Sequence, residues 1–486
     1  MNILIAASEC EPFVKVGGLG DVILSLAKAL HSLGHDVRIV LPKYSTINFV
    51  SECHAINGPL FVNMGYGLEF SQSIETKYCN IPIYFIEFNK YFHRNGIYGE
   101  NGDSYHDNWQ RFAFFNRAVI DLCEHIHFSP DVIHANDWPT GLLPALMTVN
   151  NLPSTVHKSA TVFTIHNMAH HGYAPKELLQ FVGLPDHYCH PFAMEACGGI
   201  NVLKGAIQFA NKITTVSPTY AEEIKSSEQG YGLDDVLRYR AADLCGILNG
   251  IDLSTWDPET DTTIAQNFSK KSITGKAICK QSLQQELGLK IDNNIPVFGV
   301  ISRFFEQKGL DILCNILPDI LRNMSVQFAI LGSGDPALEH HFQWISQSFQ
   351  GQISVHIGYN AALSHRIEAG SDFFVMPSRY EPCGLNQIYS MRYGTLPIAH
   401  AVGGLADTII NYDENSKSGT GFLFYDLTPS ALYNTIGWAC STFYNKKHDI
   451  SLMQQQAMSK DFSWSKSAIA YENIYNTQFS SASTPS

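Results

Sequence analysis

The sequence predicts an α/β protein built of two doubly wound, mainly parallel-sheet domains that face each other across a cleft. Three observations predict it. Short apolar runs alternate along the chain with longer segments of helical period, the βαβ rhythm of a parallel sheet. The rhythm restarts after about residue 250. Glycine-rich turns follow several of the apolar runs, where strands hand over to helices.

In the first series residues 2–7 read as a buried strand, followed by a glycine-rich turn and a helix over 20–33. Further strands are expected at 36–41, 81–86, 131–134, 160–165 and 213–216. The second series places strands at 296–301, 326–331, 353–357, 372–376 and 396–399. Turn residues from 248–252 to 256–258 mark the hinge. The expected division is an N-terminal domain over 1–248, a C-terminal domain over 249–460, and a closing segment over 461–486. That segment carries a helix at 464–479 that packs back on the N-terminal domain, and its last residues, 480–486, are expected to fray.

Composition narrows the function classes. With 45 acidic against 32 basic side chains, the net charge of −13 argues against nucleic acid as the main partner, because a phosphate backbone needs a basic face. A neutral polymer is compatible if cations gather locally around any phosphate. The 11 cysteines are odd in number and contain no C-x-x-C pair, which speaks for a reducing, cytoplasmic setting without a disulfide framework or zinc site. Cys189 and Cys197 with His187 and His190 lack metal-ligand spacing. The opening apolar run has no basic leader or cleavage pattern, and no stretch has the length of a membrane span.

Candidate chemistry lies at the ends of the expected strands. The first turn reads Lys15-Val16-Gly17-Gly18-Leu19-Gly20-Asp21. Glycines at a helix start let backbone N–H groups approach an anion, and Lys15 is placed to hold a phosphate or a sugar hydroxyl. A tight turn beside a solvated lysine is the plainer alternative. The adjacent glycines do not form G-x-G-x-x-G, which disfavours a dinucleotide enzyme. Arg303 and Lys308 follow a strand and stand where a diphosphate finds both cations and helix amides. Glu381-Pro382-Cys383-Gly384-Leu385 turns the chain into another helix, so Glu381 is placed to stabilise positive charge at a sugar's anomeric carbon. A similar turn follows at Val402–Asp407. His166 and Asn167, and Asp137 with Trp138, end two further strands; Trp138 offers a stacking face to a sugar or is simply a core residue.

Taken together these segments resemble the glycogen and starch synthase family, nearly end to end. The resemblance rests on KVGGLGD, HANDW at 134–138, IHNMAHHG at 165–172, SPTYAEEI at 217–224 and GILNGIDLSTWDPETD at 246–261. In the second half it rests on SRFFEQKGLD at 302–311, LGSGD at 331–335, PSRYEPCGLNQIYSMRYGTLP at 377–397 and GGLADT at 403–408. It implies a GT-B glycosyltransferase of two Rossmann-like domains, in which the second binds the nucleotide sugar. The implied reaction transfers glucose from ADP-glucose to the non-reducing end of an α-1,4-glucan with retention of configuration, without a cofactor or metal.

On matching positions, the resemblance implies that Lys15 contacts donor phosphate or sugar, that Arg303 and Lys308 hold the diphosphate, and that Glu381 stabilises an oxocarbenium-like transition state. It also implies that His166 binds the glucose and that Asp137 lines the reacting centre. Gly18, Asp21, Asn167, Tyr359, Cys383, Gly384 and Leu385 are then expected to complete the donor site, and Trp138 is an acceptor candidate. Val16 and Asn386 stand where many members have threonine. Tyr389 stands eight residues after Glu381, where related retaining transferases carry a second glutamate. A UDP-glucose or small-acceptor transferase, or a non-catalytic glucan-binding protein, is the alternative; Lys15, Arg303, Lys308 and Glu381 are all present against the last. Because Arg303, Lys308 and helix amides are placed to neutralise a leaving diphosphate, activity is expected to survive exhaustive chelation. Loss on EDTA treatment and recovery with a divalent ion, measured by diphosphonucleoside release, would overturn this.

Overall fold

The computed structural model describes residues 1–100 and 102–480. The chain forms two compact units: one from Met1–Val216, Ala221–Gly250 and the segment beginning at Trp464, the other from Ser217–Tyr220 and Ile251–Ser463.

The first unit is built on a ten-stranded sheet. Its strands are β1 (Asn2–Ala6), β2 (Asp36–Pro42), β3 (Cys53–Ala55), β4 (Leu60–Met64), β5 (Gly67–Tyr78), β6 (Ile81–Glu87), β7 (Val132–Asn136), β8 (Ala160–Ile165), β9 (Lys212–Thr215) and β10 (Leu244–Gly246). They run in the order β10-β9-β8-β7-β1-β2-β6-β5-β3, with β4 also paired to β5. From β10 to β6 every pairing is parallel, and Ile3, Leu4, Ile5 and Ala6 are completely buried. Strands covered on both faces read as unbroken apolar runs, which is why the sequence locates most of them.

The far edge differs. The apolar rhythm assigns no strand between 42 and 81, yet β3, β4 and β5 form there, with β5 antiparallel to β3, to β4 and to β6. In β4 buried residues alternate with exposed ones, so one face meets water and no continuous apolar run exists to be read.

The crossover helix α1 (Gly18–Ser32) buries Leu19, Val22, Ile23, Leu26, Ala27 and Leu30, a stripe of helical period against the sheet. The second unit holds a six-stranded, wholly parallel sheet: β11 (Val297–Phe304), β12 (Gln327–Gly334), β13 (Ile353–Ile357), β14 (Phe373–Met376), β15 (Leu396–His400) and β16 (Phe422–Phe424). Its order is β13-β12-β11-β14-β15-β16. Phe298 stacks between Phe328 and Phe373 at centroid distances of 5.1 and 5.0 Å, fixing the middle of this core. Helices α2 (Leu310–Asn323), α3 (Asn386–Arg392) and α4 (Gly403–Thr408) follow β11, β14 and β15. In each sheet the strand order reverses beside the first strand, at β1 and at β11, so ligand crevices are expected beyond their carboxyl ends.

Helix α5 (Trp464–Ser480) belongs to the first unit. Ser467 donates to the Leu248 carbonyl, His35 Nε2 pairs with Glu472 Oε1 at 3.0 Å, and the Tyr475 hydroxyl meets Nδ1 of buried His134 at 2.8 Å. The other ring nitrogen of His134 meets Thr164 Oγ1 at 2.6 Å. Burial pushes the His134 imidazole down to about 3, so it stays neutral and needs both partners. Of the end expected to fray, 480–486, Ser480 is the last residue of α5 and 481–486 lie outside the described residues. Tyr475→Phe strands a buried ring nitrogen and is expected to cost about 1–3 kcal/mol of stability. A thermal midpoint unchanged from wild type would show that this hydrogen bond does not hold α5 down.

Candidate active site

The predicted residues fall into three groups, each formed within one unit. The first surrounds the loop between β1 and α1. Glu9, only 3% exposed, accepts hydrogen bonds at Oε2 from the amides of Val16 (2.6 Å) and Gly17 (2.7 Å), while Tyr98 donates to its Oε1 at 2.6 Å. The expectation that the glycine-loop amides await an anion is therefore corrected at these two positions. An internal carboxylate already occupies them, and Gly18, exposed at the start of α1, is left as the amide of this turn nearest the helix dipole.

Val16 uses only its backbone here, so the absence of a threonine hydroxyl removes nothing from the loop's support. Lys15 extends across the loop to Glu11 Oε2 (2.9 Å) and Asp21 Oδ1 (2.6 Å). Burial opposes the lysine's charge, but the two carboxylates raise its pKa overall. Burial pushes Asp21 up to about 6 against the pull of Lys15.

The second group stands at the ends of β7 and β8, which are adjacent and parallel. Asp137 has φ 56° and ψ 175°, a backbone region that side chains other than glycine avoid at a cost of about 1–3 kcal/mol. The strain is held by specific bonds. The Asp137 amide donates to Thr164 O at 3.0 Å, and its Oδ1 accepts from the amides of His166 (2.7 Å) and Asn167 (3.4 Å). Burial pushes the carboxyl up to about 7, with the two amides pulling the other way. Burial also holds His166 down to about 3, so its ring is neutral at ordinary pH. The Asn167 side chain accepts from the Ala169 amide at 3.0 Å and shapes the following turn. Trp138 is half-buried and packs edge-on against Phe112 at 4.9 Å and over Gly172, which takes up part of the surface available for stacking.

The third group lies at the carboxyl edge of the second unit's sheet. A short 3-10 turn, Glu306–Lys308, follows β11 and ends at Gly309, whose φ of 63° and lack of a side chain let the Pro377 carbonyl approach; a Cβ would stand 1.9 Å from that oxygen. The Arg379 amide then donates to Gln307 O at 2.8 Å, and its guanidinium grips Asp311 through two bonds of 2.7 and 2.8 Å. These ties bring Lys308 against Glu381, with Nζ at 2.9 Å from Oε1 and 2.7 Å from Oε2. Ser378 donates to the same Oε2 at 3.0 Å.

Behind the loop, Gly403 has φ 45°, and a Cβ there would lie 2.0 Å from the Glu381 carbonyl, which instead accepts from the Gly404 amide at 3.0 Å. Cys383 is buried and its carbonyl accepts from Gln387 at 3.0 Å; Gly384 and Leu385 lead into the first turn of α3, where no side chain caps the helix. Asn386 donates to Ile301 O at 2.7 Å, so this departure supplies its own bond between α3 and β11. Arg303 is exposed near the Phe305 ring, and Tyr359 is 88% exposed just beyond β13. Tyr389, in place of a second glutamate, stacks on Trp256 at 3.8 Å, with His365 on the other face at 3.9 Å. Sequence reasoning missed Glu9, Tyr98, Asn136 and Ser378, none of which carries a glycine or spacing signal of its own.

Known proteins match this chain over nearly its whole length. Residues 2–239 match the starch synthase catalytic domain, and 284–449 match the glycosyl transferases group 1 domain. Glycogen synthase 1 of Geobacter metallireducens is 42% identical over 98% of this chain and 95% of its own length. The chain belongs to the glycogen and starch synthase family. Another family member, the glycogen synthase of Treponema denticola, is 41% identical over 98% of each chain. The catalytic domain of starch synthase IV from Arabidopsis thaliana, bound to ADP and acarbose, superposes with a TM-score of 0.91 at 34% identity over 99% of both chains. Sucrose-phosphate synthase from Thermosynechococcus elongatus, 17% identical at a TM-score of 0.61, shares the fold alone. The family fold is the GT-B type, and the chain is a glycosyltransferase.

Asp137 provides a test by pH. Its folded pKa of about 7 lies above the ordinary 3.8, so between these values the unfolded chain releases a proton that the folded chain keeps. Wild type therefore loses stability relative to Asp137→Asn as pH rises through that window, and the difference is constant above it. Thermal midpoints at pH 5 and 8 check this: a difference between variant and wild type that does not move with pH would show that Asp137 is not held protonated.

Proposed function

We propose that this glycosyltransferase is a glycogen synthase that transfers glucose from ADP-glucose to the non-reducing end of an α-1,4-glucan, with retention of the α configuration. The observation that carries the reading is the pairing of Lys308 with nearly buried Glu381, beside exposed Arg303 and the first turn of α3, in one unit. A diphosphate entering there meets two cations and the start of a helix that no side chain caps. Lys308 then exchanges Glu381 for the phosphate oxygens, and the released carboxylate turns to the sugar. The ADP and acarbose held by the Arabidopsis relative support a nucleoside diphosphate on one side of the reaction and a glucan-like chain on the other.

In the proposed step the bond from the anomeric carbon to the diphosphate oxygen breaks, and a bond to the acceptor's O4 forms on the same face. The acceptor's proton passes to the departing ADP. Glu381 stabilises the positive charge that develops at the anomeric carbon, while Arg303 and Lys308 stabilise the negative charge on the leaving group. Lys15, Gly18 and Asp21 serve the donor, His166 and Asn167 hold the glucose, and Asp137 lines the reacting centre. Tyr359, largely exposed, supplies a face for the base. Eleven free cysteines support a cytoplasmic setting.

Incorporation of labelled glucose into glycogen is expected from ADP-glucose, at a much lower rate from UDP-glucose. Equal rates would remove the donor assignment, and no incorporation from either would remove the function. Glu381→Ala is expected to lower kcat by roughly a hundredfold or more with a far smaller change in donor KM, as for a group acting in the transition state. Near wild-type turnover would reduce Glu381 to a turn residue.

A further inference from the structure

Asn136 ends β7, is 1% exposed, and carries no role in the scheme above. Its Nδ2 faces two backbone carbonyls, Ala6 at 3.2 Å and His134 at 3.3 Å. A carbonyl oxygen can only accept a hydrogen bond, so the nitrogen end of the carboxamide must point at this pair. Turning the amide over would set its oxygen against two carbonyl oxygens in a site closed to water, leaving buried acceptors unpaired. The orientation thus follows from the backbone of β1 and β7, not from any choice at His166.

With the amide so fixed, Asn136 Oδ1 faces His166 Nε2 at 3.0 Å. An amide oxygen is an acceptor, so Nε2 must carry the hydrogen. Burial keeps the imidazole neutral, and a neutral imidazole has one ring hydrogen. Nδ1 is then a lone pair, and no described residue hydrogen-bonds it. The charged or titratable neighbours of His166 are Asp137, whose Oδ1 takes the His166 amide, and neutral His134.

We propose that Asn136 is a positioning residue that locks His166 in the Nε2–H form, so that Nδ1 presents an obligatory acceptor to a hydroxyl of the donor sugar. The tautomer follows from the geometry and from the neutrality of the buried ring; its link to the sugar rests on the reading of His166 given under the proposed function. The two parts fail separately. If Nδ1 accepts, the sugar hydroxyl it meets must donate. A donor in which fluorine replaces that hydroxyl can no longer do so, although its size is nearly kept.

The test uses the full-length protein labelled with ¹⁵N-histidine. Long-range ¹H–¹⁵N spectra distinguish a protonated from an unprotonated ring nitrogen, and the His166 signals are identified by their loss in His166→Gln. Wild type is expected to show protonated Nε2 and bare Nδ1. Asn136→Ala is expected to give a mixture of tautomers. Asn136→Asp keeps an acceptor at the same place and is expected to retain Nε2–H, while its added negative charge raises the His166 pKa and brings a new acidic limb into kcat/KM.

Donor KM in Asn136→Ala is expected to rise about tenfold with a smaller change in kcat, as for loss of one hydrogen bond made in the ground state. A protonated Nδ1 in wild type, or an unaltered tautomer in Asn136→Ala, would overturn the assignment, and the wild-type spectrum decides it even if the alanine variant does not fold. A mixed tautomer with unchanged donor KM would overturn the link to the sugar. The same spectrum stands whether or not the protein transfers glucose.

Discussion

Parallel strand pairing is the constraint on which both units depend. In a parallel ladder every strand ends on the same edge, so each return crossover starts there and each loop that follows a strand is gathered with the others. The register places Ala6 beside Ala135, Asn136 beside Thr164, and Phe298 beside Phe373. From these ends emerge Glu9 and Lys15, Asp137, His166, Arg303 and Glu381. Residues far apart along the chain become neighbours in each unit because the ladder sets their strands side by side. Its cost is burial on both faces, met by continuous runs of Ile, Leu, Val and Phe.

Loops gathered on one edge still have to be held in shape, and in this protein carboxylates do much of that work. Glu9 ties two amides of the first loop, Asp137 ties two amides after β8, and Glu381 is gripped by Lys308 and Ser378. A carboxylate withdrawn from water needs such donors, so each bond both satisfies the acid and fixes the backbone. The strained backbone of Asp137 persists for the same reason, because three hydrogen bonds over-determine it. In the second unit the tie and the proposed chemistry coincide: the cation that steadies Glu381 is also the one proposed to meet a diphosphate. Such preformed electrostatics suit a reaction in which charge separates at a glycosidic carbon while the protein forms no bond to it.

The sequence by itself determined the strand–helix rhythm, the glycine turns and the residues at strand ends, because parallel strands are apolar on both faces and tight turns need glycine. That is enough to place Lys15, Asp137, His166, Arg303, Lys308 and Glu381 at the right edges, and their joint order gave the family. Tertiary structure alone decided what each of them touches. Nothing local says that Glu9 takes the Val16 and Gly17 amides, that Asn136 faces His166, or that Tyr475 reaches His134 across 341 positions. Nor does a periodicity rule find β3, β4 and β5, whose half-exposed faces carry no unbroken apolar run. The physical reason is common to all of these. Periodicity and turn chemistry are properties of neighbours along the chain, whereas a hydrogen-bond partner is chosen by which strands the sheet sets side by side.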